Sequence, residues 1–168
     1  MSVLSAQSIR RLCRPGGYYT FPSHRIPVDS PLIEPFEERG VINGKTFGLG
    51  PCSYDVRSKA RVYLPAGGRA LASTIEKFCI PPFICGTVMD KSSNARVFVS
   101  AFNTHIDPGW RGYLTVELVN LDSVDHEWEA GDPLCQIRFD ALDEPTIMPY
   151  QGKYQDQQDM PVPFLYET

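Results

Sequence analysis

A chain of 168 residues, 42% hydrophobic and 21% charged, has the length and composition of one globular domain that buries its core without disulfide staples. Its formal net charge of −4 argues against a nucleic-acid groove, which needs a basic surface, yet allows a small anion held by local cations and backbone N–H groups. No apolar run approaches the ~18 residues of a membrane span.

The start, MSVLSAQSIRRLC, has no apolar signal core and argues against secretion. Ser5 is placed to cap a short helix over AQSIRRLC that Pro15-Gly16-Gly17 ends. From Tyr18 to Gly50, proline, glycine and charge predict loop with brief strands. The segment PLIEPFEERGVINGKTFGLGP reads as a long surface excursion around an Asn43-Gly44 turn. Strands are then expected in SYDVRSKARVYLP, RALASTIEKFCIP, FICGTVMD, ARVFVSAF, GYLTVELVN and DPLCQIRFDAL, with Pro- and Gly-rich breakers between them. Many short strands with regular turns predict an all-β barrel, sandwich or jelly roll. The end, PYQGKYQDQQDMPVPFLYET, loses periodicity and reads as an ordered or lid-like tail. Cys13, Cys52, Cys79, Cys85 and Cys135 are odd in number and form no CxxC pair, so they read as reduced thiols of a cytoplasmic protein.

The motifs that would name a chemistry outright are absent. There is no Walker loop, no Gly-x-Ser-x-Gly and no Gly-x-Gly-x-x-Gly. The His-x-Glu and Pro-Cys-x-x-Cys ligands of zinc-dependent cytidine deaminases are missing too, so no zinc site is expected. What remains is concentrated between Asp90 and Asn120. In GYLTVELVN, Leu114, Val116 and Leu118 share one face of a strand and Thr115, Glu117 and Val119 the other. On periodicity alone Glu117 points to solvent from a half-buried strand. The alternative is a cavity, where desolvation raises its pKa and suits it to proton transfer. Lys91-Ser92-Ser93-Asn94-Ala95-Arg96 offers hydroxyls, backbone N–H groups and cations to a polyphosphate, but is equally a plain polar turn. Asp107-Pro108-Gly109 is a tight turn that Asp107 can initiate, with Trp110 packing behind it. Tyr150, Lys153, Tyr154 and Gln157 read in isolation as solvated tail residues.

Taken in order, CSYDVR (52–57), KSSNAR (91–96), HIDPGWRGYLTVELVN (105–120), GDPLCQIRF (131–139) and PYQGKYQDQ (149–157) resemble the dCTP deaminase family. That family shares a trimeric β-fold superfamily with dUTP diphosphatases. The resemblance runs from the Ser5 helix to about Gln158. It implies a single domain over 1–168 with a dUTPase-like distorted β-barrel or jelly roll and a short N-terminal helix. It also implies a homotrimer with sites between subunits, and residues 150–168 closing over the nucleotide.

The implied activity is hydrolytic deamination of dCTP to dUTP and ammonia. Glu117 matches the glutamate that activates the attacking water, and Ser92 and Arg96 match residues lining the same site. Lys91 and Ser93 belong to the phosphate turn, and Asn103 and His105 to the loop that reads the base. Asp107 matches an aspartate at the deoxyribose and Gln136 a phosphate contact. Tyr150, Lys153, Tyr154 and Gln157 match the segment covering sugar and triphosphate. Magnesium bound through the triphosphate and dTTP as a feedback inhibitor are further implications.

Two alternatives remain at this point. A dUTP diphosphatase, alone or combined with deamination, gives dUMP and pyrophosphate and shares the Ser-Ser and Ile-Asp turns. Plain diphosphatases lack the glutamate and end in a Gly-rich motif unlike GKYQDQQDMPVPF. A non-catalytic nucleotide-binding regulatory trimer is the other, and it gains little from a buried carboxylate. Asp90 before KSS, Asn103-Thr104-His105 and a short 96–107 segment depart from the family pattern. They leave a modified cytosine nucleotide, a monophosphate or dUTP open as the preferred ligand.

Overall fold

Alternation of apolar and polar side chains organises the chain. Along the strand Arg111–Asn120, Leu114, Val116 and Leu118 are buried while Thr115, Glu117 and Val119 are half-buried, so one face packs inward. The computed structural model describes residues 2–22 and 24–166 and has the expected mainly β architecture with a short N-terminal helix. The last two residues of the segment expected to close over the nucleotide, 167 and 168, lie outside the described residues. A seven-stranded antiparallel sheet runs in the order His105–Ile106, Ile84–Asp90, Pro133–Ala141, Tyr54–Arg57, Lys45–Leu49, Gly40–Ile42, with Ser2–Val3 also paired to Pro133–Ala141. A four-stranded sheet runs Val99–Ala101, Arg111–Asn120, Arg69–Cys79, Ile33–Glu34. Their apolar faces share one core, in which the Phe78 and Phe139 rings lie 6.3 Å apart. Burying each such side chain contributes about 1.5–3 kcal/mol. No helix among the described residues is long and apolar enough to cross a membrane.

The helix Ala6–Leu12 forms where expected and buries Ile9 and Leu12. Ser5 occupies the N-cap, but its hydroxyl makes no capping bond and lies 3.4 Å from the Ser8 hydroxyl instead. Asn43 and Gly44 both take positive φ, 49° and 73°, as a type I′ hairpin turn requires. The hairpin they close is more than a surface excursion: Lys45–Leu49 pairs with Tyr54–Arg57 inside the large sheet, and Leu32 and Ile33 are core residues. SYDVRSKARVYLP is two strands, Tyr54–Arg57 and Val62–Leu64. The chain changes partners at Ser58, which bonds Asp132 and Gly131 through its backbone and bridges Thr74. KSSNAR is a single helical turn over Ser92–Ala95 rather than an open turn.

Asn120 ends the strand Arg111–Asn120 as a fully buried polar anchor. Its Nδ2 donates to the carbonyls of Leu64, Pro65 and Val124 at 3.2, 3.1 and 2.8 Å, and its Oδ1 accepts from Asp122 N–H at 2.9 Å. Asn120→Ala is expected to cost about 2 kcal/mol by stranding those carbonyls away from water, measured as a lowered urea midpoint. A variant with the wild-type midpoint would show that the anchor carries no stability.

Candidate active site

Six of the residues singled out from sequence line one cleft of about 490 Å³: His105, Asp107, Glu117, Tyr150, Tyr154 and Gln157. Three pieces of chain build it. Glu117 and Thr115 project from the half-buried face of Arg111–Asn120, and Leu71 stands directly across from Glu117 in the antiparallel ladder. The turn at 107–110 forms a second wall. Trp110 N–H donates to the Asp107 carbonyl at 3.1 Å, Pro108 occupies the second position, and Gly109 takes φ 86°, the left-handed value that a type II turn requires at its third. Asp107 is not held by an Asx bond. Its carboxylate is half exposed and lies 3.8 Å from His105 Nε2.

The C-terminal tail is the third wall, and it is bonded to the 108–115 segment almost residue by residue. Tyr150 N–H donates to the Pro108 carbonyl at 2.8 Å, the buried Trp110 Nε1 donates to the Tyr154 carbonyl at 2.7 Å, and Asp156 N–H donates to the Arg111 carbonyl at 2.9 Å. Tyr113 N–H then donates to the Gln157 carbonyl at 3.0 Å, and Arg111 pairs with the Asp156 carboxylate. Gly112 is needed for this approach, since a Cβ there would lie 2.7 Å from Gln157 N. Val162 and Phe164 continue the wall, and Lys153 Nζ sits 4.8 Å from the centroid of the Phe164 ring. A second depression, of about 520 Å³, shares His105, Asp107 and Tyr150 with the cleft.

Glu117 is the chemically distinctive group. Burial pushes its carboxyl above the ordinary glutamate range, with its own backbone N–H pulling weakly the other way. Among the described residues no cation and no side-chain donor bonds its carboxylate. A half-buried, unpaired carboxylate with a raised pKa, open to a cleft, can take a proton from water and return it.

The remaining predicted residues lie outside the cleft. Asn103 is exposed and adjoins it through Thr104, which lines the wall. The Lys91 ammonium is buried against the Asp55 carboxylate and donates to Thr46 Oγ1 at 3.1 Å, so within this chain it is committed to structure. Ser92, Ser93 and Arg96 are exposed on the helical turn. Asn94 fastens that turn by donating to the Leu134 carbonyl at 2.7 Å. Gln136 accepts from Ser53 Oγ at 3.0 Å and donates to the Asp90 carbonyl at 2.7 Å, which ties it to the base of the same turn. His105 pairs with Thr87, and the helical turn begins at Ser92, past the end of that strand at Asp90. Thr104 belongs to the loop already expected at the base, while Leu71, Thr115, Val162 and Phe164 escaped sequence reasoning. Only Thr115 carried a signal, since strand alternation puts it on the same face as Glu117.

The model of the family described as dCTP deaminase-like matches residues 52–142. The dCTP deaminase of Acidobacterium capsulatum is 31% identical over 167 aligned residues, covering 80% of this chain and 91% of that protein. That of Thermococcus kodakarensis is 33% identical over 132, covering 74% and 84%. Among solved structures, a mutant dUTPase from phage phi11 of S. aureus superposes with a TM-score of 0.51 at 17% identity, over 61% of this chain and 84% of that one. The dUTPase of Staphylococcus bacteriophage 80alpha gives 0.52 at 15%, over 72% and 93%. The two solved structures establish a dUTPase-like fold, while the family match covers Glu117 itself. By that match and by these relatives, the chain belongs to the dCTP deaminase family.

Proposed function

We propose that this protein is a dCTP deaminase, converting dCTP and water to dUTP and ammonia. The observation that carries the reading is Glu117: a half-buried carboxylate with a raised pKa and no bonded partner cation, facing a cleft. Glu117 takes a proton from water as the water oxygen bonds to C4 of cytosine, and passes it to N3. It then moves the remaining hydroxyl proton to the amino group, which leaves as ammonia as the C4 carbonyl forms. His105 and the backbone of 103–106 face the base edge, Asp107 faces the deoxyribose, and Tyr150, Lys153, Tyr154 and Gln157 cover the sugar and phosphates.

Ser92, Ser93 and Arg96 are assigned to the same chemistry in a homotrimer, where one subunit's helical turn meets another's cleft. Their exposure, and their position outside the cleft lining of one chain, support that arrangement. Gln136 acts with them by holding the turn, and Lys91 through its pair with Asp55. Bound through the triphosphate, magnesium would neutralise part of its charge. Mg²⁺ commonly binds through one or two carboxylates and the substrate's own phosphates rather than in an all-protein cage. All five cysteines are free thiols, in keeping with a cytoplasmic protein.

Incubation with Mg²⁺ and dCTP, dUTP or dCMP in turn, following ammonia, pyrophosphate and nucleotide products, tests the reading. Ammonia and dUTP from dCTP, without pyrophosphate, are expected. Pyrophosphate and dUMP from dUTP, with no ammonia from dCTP, would make it a diphosphatase and move the chemistry to Asp107.

A further inference from the structure

Thr115 lies two residues before Glu117 on the same face of the strand and lines the same cleft. The register shift beside it puts its extra residues on the partner strand Arg69–Cys79, so the strand carrying Thr115 and Glu117 keeps its plain alternation. The Thr115 hydroxyl oxygen accepts two bonds from the tail, from Gln157 Nε2 at 2.5 Å and from Val162 N–H at 3.0 Å. A hydroxyl oxygen has two lone pairs, so the tail occupies both.

Val162 stands between Pro161 and Pro163, neither of which has an N–H. Its bond to Thr115 therefore uses the only backbone donor of that run, and the flanking prolines reduce the entropy lost when the run docks. The ladder described above ends at Gln157. Beyond it, the Thr115 bond and a 3.1 Å bond from Leu165 N–H to the Tyr154 hydroxyl bring Val162 and Phe164 over the cleft.

We propose that Thr115 is a positioning residue whose hydroxyl latches the 157–164 segment over the cleft, setting nucleotide affinity without taking part in the chemistry at C4. The latch is made entirely of the chain's own atoms. Only its consequence for dCTP rests on the deaminase reading.

Thr115→Val keeps the β-branched shape and removes the acceptor. Amide exchange over 155–166 in the free protein should accelerate about 10-fold, and the KM for dCTP should rise about 10-fold while kcat changes by less than about 3-fold. Thr115→Ser should behave as wild type in both measurements. Val162→Pro, which deletes the donor instead, should reproduce the valine variant. Wild-type exchange in Thr115→Val and Val162→Pro would overturn the latch. Faster exchange with an unchanged KM would overturn its control of affinity, and a kcat lost in Thr115→Ser as well would place Thr115 in the chemistry. Absence of dCTP turnover by the wild-type protein would remove the deaminase reading alone, since the exchange measurement decides the latch independently.

Discussion

Glu117→Gln is expected to fold and bind dCTP while deaminating it about 10³-fold more slowly. The amide matches the carboxylate in shape but can neither take a proton from water nor return one to the leaving amino group. The same substitution has a pH signature. The attacking water needs the ionised carboxylate, and burial raises the Glu117 pKa, so the acid limb of kcat/KM should lie above the ordinary glutamate range.

The effect on stability has a definite sign. A carboxyl whose pKa is higher folded than unfolded holds its proton more tightly in the native state. Its contribution is fully present below the unfolded value of about 4.3 and is lost as pH rises through the folded one. Glu117→Gln should therefore melt at or above the wild-type temperature near neutrality, with the difference vanishing in acid. Thermal melts at several pH values and the pH–rate profile check both statements. A variant retaining near-normal turnover would remove Glu117 from the mechanism.

Arg57→Ala is expected to cost about 3–5 kcal/mol of stability, a fall in Tm of about 10 °C for a chain of this length. Ser73 and Lys77 are four steps apart on Arg69–Cys79, while their partners Thr115 and Tyr113 are two apart. The extra residues bulge, and Glu76 is carried into the core with its side chain fully buried. There it accepts Arg57 Nε at 2.8 Å and Arg57 N–H at 2.9 Å. Burial still outweighs these bonds and leaves the Glu76 pKa raised. Removing the guanidinium strands a desolvated carboxylate, whereas Arg57→Ala with Glu76→Gln should recover part of the loss. Urea unfolding of the two variants measures this, and a single-variant loss under about 1 kcal/mol would show that the pair is not stabilising.

Features encoded within a few residues are legible in the amino-acid sequence. The Leu114, Val116, Leu118 alternation, the Asn43-Gly44 turn and the Asp107-Pro108-Gly109 turn depend only on side-chain period and on local φ preferences. Features that require a register are not. Leu71 faces Glu117 across a ladder 46 residues apart in the chain, and Lys91 is neutralised by Asp55 from another strand. No local rule places either. The Thr74–Glu76 bulge follows from bonds that Thr74 Oγ1 makes, donating to the Glu76 carbonyl at 2.7 Å and accepting from Leu114 N–H at 3.1 Å, and a run of strand-forming residues hides it. The tail reads as polar, yet Val162 and Phe164 give the cleft an apolar wall because Thr115 and the prolines fix where they lie.

Reaction of dCTP in ¹⁸O-water, with mass analysis of every product, tests the central claim most directly. Attack of a Glu117-activated water on C4 predicts dUTP carrying one ¹⁸O in its pyrimidine ring, one equivalent of ammonia, and unlabelled phosphates. Label appearing in a phosphate group, with the cytosine ring unchanged, would contradict it.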